Sequence, residues 1–400
     1  MESGVKDNRG FFRRMLRDPD ARRADLFFAS GAPHVDYLLL AVIAILVLLG
    51  SLMVFSASFA YAEYRYGDSY YFIGRQIIWV IVSGAVMFCA AKLTPVLYRH
   101  LAVPLYGIVI ALLLAVLVIG SIGNGAQRWI SLGPITIQPS EIAKTSLVLI
   151  LARYYSVFEE RALEIRSKPR MLLWGTLIPF GFIGCFCVLV ILQKHLSGII
   201  ILGAIGLSVM FVSGISLRYL GYFTGACATG VTCLALFTDY TKKRITTWLN
   251  PELYPLEGGW QTLQGLMAIG SGGFFGLGFG NSRLKYSYVS EPANDMIFTI
   301  ICEETGFLGA LLIMVLFAVF IWRGIRIGMA QEDTFSRLAA IGITVKVAIQ
   351  VLLNICVVTN TIPNTGISLP FFSYGGSSMI MLLFEMGILL SISRTSVLKK

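Results

Sequence analysis

The sequence predicts an all-α polytopic membrane protein with ten transmembrane helices, both termini in the cytoplasm and a long extracytoplasmic loop between helices 7 and 8. The prediction begins with composition: 56% of the 400 residues are hydrophobic and only 14% are charged. An ordinary soluble domain has roughly 45–50% apolar and about 25% charged residues. Too few polar side chains remain to cover a surface in water, so a soluble enzyme is excluded.

Ten apolar windows, bounded by charged residues, Pro or Gly, come close to the ~20 residues that a spanning helix needs. They cover residues 37–59, 71–91, 101–120, 140–156, 171–192, 197–213, 219–237, 296–322, 339–359 and 376–393. If the N-terminus is inside, about two thirds of the 32 Lys and Arg residues lie in or beside the inside segments. Such a bias is typical of cytoplasmic loops and supports ten spans.

The chain then divides into a basic cytoplasmic tail (residues 1–36), a membrane domain (37–395) and a short cytoplasmic end (396–400). The tail is too long and polar for a signal peptide, so we expect it to stay in the cytoplasm. The net charge of +10 is assigned to contact with anionic lipid headgroups, and no nucleic-acid partner is predicted. All seven Cys lie in apolar segments, so neither a disulfide nor a Cys-based metal site is expected.

The predicted outside loop 238–295 is far longer than the usual connection, and loops of that length tend to be functional or to carry structure of their own. Its Gly-rich part, GSGGFFGLGFG (270–280), is not followed by the Gly-Lys-Ser/Thr of a phosphate loop, so nucleotide binding is disfavoured. Two alternatives stay open. The glycines either permit close backbone approach in the membrane or form a flexible wall of a lipid-substrate groove.

Asp295 ends this loop immediately before the apolar run that starts at Met296. By residue type it could simply be the N-cap of the next helix. Alternatively, it is a carboxylate held at the outer membrane surface as a general base. Glu291, one turn earlier, could then bind or orient a substrate, or be a solvated loop charge.

Several Lys and Arg residues lie in the predicted outside segments, against the overall excess of such residues on the inside. They are Arg128, Lys194, and Arg244 with its neighbours Lys242 and Lys243. Singly, each could be a side chain that snorkels to the lipid headgroups. Together they suit an anionic lipid headgroup such as a diphosphate.

Ionisable residues inside the spans are costly in hydrocarbon and are normally paired. From the helical rise of about 1.5 Å per residue, Lys144 and Glu303 lie at similar depths below the outer face. Lys346 and Glu385 lie at similar depths above the inner face. The sequence therefore predicts two structural ion pairs, Lys144–Glu303 and Lys346–Glu385. His195 is interpreted as a solvated side chain, because it is too isolated to be part of a zinc site.

Four ordered segments resemble the signatures of the shape, elongation, division and sporulation family, the RodA/FtsW polytopic proteins. They are Asn124–Gly133 with Gln138–Lys144, Trp260-Gln261 with Ala268–Gly273, Glu291–Phe298 with Glu303–Gly306, and Pro363–Ser378. The resemblance covers residues 37 to 395. Two departures are Gln193-Lys194-His195, where members usually carry Pro and often an acid or amide, and Gln127-Arg128-Trp129, where Arg-Arg-Trp is usual.

The resemblance implies a multi-pass protein of the bacterial cytoplasmic membrane that polymerises peptidoglycan glycan strands from lipid II at the outer face. It implies a class B penicillin-binding protein as partner, together with division or elongation complex proteins. Asp295 matches the family's proposed catalytic residue. Polar side chains of the other signatures, Gln261, Ser271 and Ser373, are expected to bind substrate.

As general base, Asp295 would take the proton of a sugar 4-hydroxyl, with inversion at the anomeric carbon that loses its diphosphate. Arg128, Lys194 and Arg244 are the cations expected to stabilise the leaving group. No cofactor or metal ligand set is predicted, and a divalent cation remains a candidate helper. A lipid II flippase and a non-catalytic division scaffold are the competing functions. The basic tail and the Asn124-Gly125 pair favour the division branch over elongation or sporulation.

Overall fold

The computed structural model describes residues 35–123, 126–132, 135–162, 172–193, 195–222, 224–225, 229–230, 239–255, 259–286 and 292–395. The first six helices are α1 (Tyr37–Tyr66), α2 (Tyr71–Lys92), α3 (Pro95–Ile119), α4 (Pro139–Ala162), α5 (Ile178–Leu192, preceded by a π-helical turn Leu173–Leu177) and α6 (Leu196–Val212). The others are α7 (Asp239–Leu249), α8 (Gly259–Ser271), α9 (Ile297–Met329), α10 (Thr334–Val358) and α11 (Gly376–Ser393).

Within these ranges, seven helices are long and apolar enough to cross a membrane. They are α1, α2, α3, α5 with its π-helical turn, α9, α10 and α11. Two predicted spans correspond to helices outside this set. The predicted span 140–156 is α4, which carries several charges, and 197–213 is α6, which has only 17 residues. The predicted span 219–237 lies mostly outside the described residues, as do residues 1–34 and 396–400.

The centre of the bundle is formed by α4, α10 and α11. Nearly every side chain of α4 between Ala143 and Phe158 is buried, although the helix contains polar residues. α4 packs on α3, α6 and α10, while α11 packs on α2 and α9 packs on α1 and α10. Because protein surrounds α4 on several sides, it can hold charges that a lipid-facing helix could not.

The two ends of the described chain lie at the same end of the bundle. The backbone N–H of Asp36 donates to Ser393 Oγ at 3.2 Å. The carboxylate of Asp36 also lies 2.7 Å from Arg323 Nη2 in the C-terminal half of α9. We call this the terminal end and the opposite one the Asp295 end.

The prediction of an all-α chain is wrong in one place, the connection between α3 and α4. Here three short antiparallel strands form a small sheet in the order β1 (Ser121–Gly123), β2 (Ala126–Leu132) and β3 (Ile135–Ile137). Trp129 pairs with Ser121 and Ile130 pairs with Ile137. β-Branched and aromatic residues at these positions favour strands, but the windows are too short to stand out beside the apolar spans.

The long loop before α9 contains α7, a 3₁₀ turn (Pro251–Leu253) and α8, followed by the Gly-rich segment. This segment contacts a break in α9, where Gly306 has φ 65° and ψ −166°. The window 296–322 was predicted as one span, and the sequence did not predict the break at Gly306 within it. A Cβ on Gly306 would lie 2.3 Å from Gly276 N, and one on Gly272 would lie 2.0 Å from Cys302 O. The glycines therefore permit close backbone approach, the first of the two alternatives.

Candidate functional site

Asp295 lies in a turn (residues 292–296) whose backbone is held by neighbouring elements. The carbonyl oxygens of three successive residues each accept one hydrogen bond, and every donor belongs to the stretch between residues 354 and 374. The pairs are Tyr374 N to Ala293 O (2.8 Å), Ser373 Oγ to Asn294 O (2.8 Å) and Asn354 Nδ2 to Asp295 O (2.8 Å). The backbone at Asp295 is thus held by residues that are distant in sequence, rather than by the helix that follows it.

The carboxylate of Asp295 is half-buried, with Oδ1 shielded from solvent. The N-cap position of α9 is Met296, one residue after Asp295, and the Met296 side chain makes no capping hydrogen bond. The interpretation of Asp295 as a helix cap is therefore wrong. Its Oδ2 faces Gly366, because a Cβ built on that glycine would lie 3.6 Å away. Gly366 has φ 68°, a conformation that favours glycine, so the backbone passes close to the carboxylate without a side chain between them.

The segment opposite Asp295, residues 359–374, is itself held through its main-chain oxygens. We call it the facing loop. Its donors come from three other parts of the chain: α7, the start of α6, and α10. They are Arg244 Nη1 to Asn364 O (2.7 Å), Trp248 Nε1 to Asn360 O (2.9 Å), Ser197 Oγ to Thr365 O, and Asn354 Nδ2 to Ile367 O (2.7 Å). α7, predicted only as part of a long loop, therefore reaches the site.

Two predicted site residues, Lys194 and Glu291, lie outside the described residues. Arg128, on β2, lies near enough to His195 for its charge to affect that ring. Burial lowers the pKa of His195 to about 3, and the positive charge of Arg128 acts in the same direction. His195 Nδ1 is shielded and has no hydrogen-bond partner among the described residues. His195 is therefore half-buried, with one shielded ring nitrogen, rather than the fully solvated side chain that was predicted.

The structure separates the other predicted substrate contacts. Gln261 is half-buried in the first turn of α8, whose Gly265 packs on Met296 beside Asp295. Ser271 bonds Ala268 O in its own helix and lies next to the contact with Cys302, seven residues beyond Asp295. α8 runs along α9, so its C-terminal end is carried away from the carboxylate. Ser271 is therefore not brought to the Asp295 turn.

Ser373 is close to Asp295 but is buried beneath its backbone. Its hydroxyl donates to Asn294 O and accepts from Leu369 N at 2.9 Å. Both bonds join main-chain groups of the turn and the facing loop. The structure thus gives Ser373 a supporting contact rather than the substrate contact that was predicted.

The buried charges form pairs that differ in part from those predicted. Lys346 Nζ lies 2.6 Å from Glu385 Oε2 and 2.7 Å from Oε1, and Thr145 Oγ1 also donates to that carboxylate. The predicted Lys144–Glu303 pair is wrong. Lys144 instead lies 2.6 Å from Glu141, which is three residues earlier on the same helix. Equal depth does not determine partners when a carboxylate is available one turn away.

The partners of Glu303 come from the residues that directly follow the Gly-rich segment. Ser282 Oγ donates to Glu303 at 2.5 Å and Arg283 N donates at 3.0 Å. The neighbouring Glu304 accepts from Ser56 Oγ at 2.6 Å and from Lys285 Nζ at 3.0 Å. Sequence reasoning missed the Lys285–Glu304 pair, because Lys285 was counted as an outside loop charge. The signal was present: two adjacent acids at the start of a span require a cation nearby.

A small cavity lies between Lys346 of the Lys346–Glu385 pair and the facing loop. Its volume is about 20 Å³, enough for roughly one water. Its lining includes Glu141, Lys346, Gln350 and Ser373. It is far too small for a saccharide. Among the described residues, no group of three or more His, Cys, Asp or Glu side chains could hold a metal ion.

Comparison with known proteins gives a consistent result. A family of cell cycle proteins that covers FtsW, RodA and SpoVE matches residues 36–397. Stage V sporulation protein E of Bacillus subtilis is 38% identical over 364 residues, 90% of this chain and 97% of that protein. A probable peptidoglycan glycosyltransferase FtsW of Trichlorobacter lovleyi is 37% identical over 366 residues, 90% of this chain and 93% of that protein.

Solved structures are similar over the same length. One is a chain from work on structural coordination of polymerization and crosslinking by a peptidoglycan synthase complex, with a TM-score of 0.72 and 29% identity; the match covers 91% of this chain and 99% of that chain. The rod shape determining protein RodA of Thermus thermophilus has a TM-score of 0.66 and 28% identity, with 91% and 98% covered. The relatives carry both sporulation and division names, so the branch stays a prediction.

Proposed function

The chain belongs to the FtsW, RodA and SpoVE family of cell cycle proteins, and from that premise we propose how it acts as a peptidoglycan glycosyltransferase, with Asp295 as general base. Its substrate is lipid II, displayed at the outer face of the cytoplasmic membrane. The observation that carries the assignment is the Asp295 turn. Asp295 precedes the N-cap position of α9, its carboxylate faces the glycine of an opposing loop, and the backbone of its turn is held by three hydrogen bonds.

In the proposed reaction, an Asp295 oxygen accepts the proton of the 4-hydroxyl of one lipid II. The hydroxyl oxygen forms a bond to the anomeric carbon of the growing strand. The bond from that carbon to the prenyl diphosphate breaks, and the diphosphate leaves with the electron pair. A single displacement of this kind inverts the anomeric centre.

Negative charge grows on the departing diphosphate, so fixed cations stabilise the transition state more than the ground state. Arg244 and Arg128 are the described candidates. Arg244 already contacts the facing loop opposite Asp295, and Arg128 stands beside His195 at the neighbouring sheet. We propose Lys194 and Glu291 as further substrate contacts, and a divalent cation as an auxiliary of the diphosphate.

The topology proposed is ten crossings with both termini in the cytoplasm and the Asp295 end outside. Termini at one end of a bundle require an even number of crossings, and residues 36 and 393 are in contact. α1 to α6 and α9 to α11 supply nine, and the segment 219–237 would supply the tenth. Impermeant thiol labelling of intact cells tests the orientation, since Lys242→Cys should react and Arg99→Cys should not.

The proposed chemistry is tested with purified protein and lipid II in detergent, with glycan product length as the readout. Asp295→Asn keeps the shape of the side chain but removes the base, so strand formation should fall by at least about 100-fold. Asp68→Asn is the matched control, because Asp68 is an exposed carboxylate in the turn between α1 and α2. An Asp295→Asn protein that polymerises at the wild-type rate would show that the assignment is wrong.

A lipid II flippase is the second candidate, because α9 is a broken helix of the kind that transporters use. The broken ends, however, are already engaged. Leu277 N and Gly278 N donate to the carbonyls of Glu303 and Glu304, and Phe307 N donates to Gly273 O. These bonds leave the break anchored to the Gly-rich segment. The detergent assay separates the functions, since a flippase or a scaffold forms no glycan.

A cross-linking penicillin-binding protein is proposed as partner, as one similar chain belongs to a peptidoglycan synthase complex.

A further inference from the structure

Asn354, in the last two turns of α10, has a fully buried side chain. Its Nδ2 donates to Asp295 O at 2.8 Å and to Ile367 O at 2.7 Å. Both neighbours are carbonyl oxygens, so the amide orientation is fixed by chemistry, because only the NH₂ group can donate. A single amide group thus joins the backbone of the Asp295 turn to the backbone of the facing loop.

The two acceptors stand on opposite sides of one narrow gap. Asp295 carries the carboxylate, and Ile367 follows Gly366, the residue that the carboxylate faces. The distance between these two backbones sets the space into which an acceptor hydroxyl must fit. Asn354 holds both sides from below without reaching the gap with its own side chain.

We infer that Asn354 is a positioning residue for glycosyl transfer: its amide fixes the separation of Asp295 from the facing loop and so holds the base in its reactive geometry. The inference rests on the proposed function of Asp295. Ser373 and Tyr374, at the end of the facing loop, also bond the turn, but at the carbonyls of residues 294 and 293. The bond to the carbonyl of Asp295 itself comes from Asn354.

The loss expected follows from how steeply proton transfer and nucleophilic attack depend on alignment. A displacement of about 1 Å at a reacting group costs on the order of 100-fold in rate. Asn354→Leu keeps the size of the side chain and removes both hydrogen bonds. We expect kcat to fall by about 30- to 100-fold with KM for lipid II changed by less than about threefold, because the substrate-binding surface is retained.

The matched control is Thr344→Val in the same helix. Thr344 is also fully buried, and its hydroxyl donates to Ala340 O within α10. The variant therefore loses a buried hydrogen bond of α10 without touching the Asp295 turn. It should keep the wild-type kcat, even where its midpoint of thermal unfolding is lowered as much as that of Asn354→Leu. If Asn354→Leu fails to fold, Asn354→Ser, which is smaller and leaves room for water, takes its place.

A double-mutant cycle distinguishes positioning from general damage. Asp295→Glu moves the carboxylate away from the backbone by one methylene, so the base is already displaced from its reactive position. If Asn354 acts through Asp295, adding Asn354→Leu to Asp295→Glu should cost less than about threefold further. A kcat for Asn354→Leu within threefold of wild type, or fully multiplicative losses in the cycle, would overturn the inference. Wild-type activity of Asp295→Asn would instead remove the proposed function.

Discussion

The buried pair of Lys346 and Glu385 gives the sharpest stability prediction. Both side chains are at most 2% exposed, and the ammonium group contacts both carboxylate oxygens. Replacing Lys346 by Met leaves a buried carboxylate with one hydroxyl donor, Thr145. Breaking a buried pair in this way costs about 3–5 kcal/mol. The ratio of folded to unfolded protein should therefore fall by roughly three orders of magnitude.

Removing both charges together should recover most of that loss. In Lys346→Met with Glu385→Leu, no charge is left without a partner, and Thr145 can donate to a carbonyl of its own helix. Such replacements of a complete buried pair are often neutral or stabilising. The measurement is an unfolding titration in mixed detergent micelles, in which the fraction of protein that remains folded is the readout.

The control pair is Arg99–Asp333 at the terminal end, which is 3.2 Å apart but 21% and 45% exposed. An exposed pair contributes about 0–1 kcal/mol, so Arg99→Met should lie close to wild type. Wild-type stability of Lys346→Met would refute the reasoning. So would a double variant that is no more stable than the worse single variant.

Three further predictions concern the break in α9, the Lys285–Glu304 pair and His195. Gly306→Ala should cost more than about 3 kcal/mol, because its φ is 65° and the added Cβ meets Gly276 N at 2.3 Å. Gly270→Ala, with open space around it, is the control, and equal unfolding midpoints for the two would contradict the model of close approach. Lys285→Met should destabilise by about 3–5 kcal/mol, and adding Glu304→Gln should restore part of the loss in the same unfolding titration. The pKa of His195 is about 3 in the folded state and about 6.5 when unfolded, so the unfolded chain binds the proton first and stability falls as pH drops below 6.5. At pH 5 the loss is about 2 kcal/mol relative to pH 7, and His195→Gln should remove it; parallel pH profiles of unfolding for both proteins would count against a buried neutral ring.

Long apolar windows were the part of the fold that the sequence predicted well. The windows 37–59, 71–91 and 376–393 begin at or next to the first residue of α1, α2 and α11, because lipid selects composition over some 20 residues at a time. Elements shorter than a span gave no such signal. The three strands between α3 and α4 and the surface helix α7 could not be distinguished from loop by hydropathy, since each is stabilised by contacts that only the folded chain provides.

For the buried charges, the sequence predicted where charge would lie and one of the two pairs, Lys346–Glu385. Asp295 and Arg244 both fall at the boundary between apolar and polar segments, and the structure places both against the facing loop; their roles stay predictions. The prediction that Lys144 pairs with Glu303 because both lie at the same depth in the membrane was wrong. Depth is only one of three spatial coordinates, and another carboxylate, Glu141, is closer to Lys144. Asn354 gave no signal at all. A single amide within an apolar helix reveals its role only through the two backbones that it joins.

The facing loop is anchored by its peptide oxygens, and this has a consequence for how the segment can vary. The donors Arg244, Ser197 and Asn354 bond main-chain atoms at positions 364, 365 and 367. These hydrogen bonds therefore tolerate a change of side chain at a position such as Thr365, but they do not tolerate a change in the length of the segment. A segment of equal length grafted from a relative should accept the same three hydrogen bonds. Deletion of one residue would shift each later carbonyl oxygen by about 3.5 Å and break these bonds.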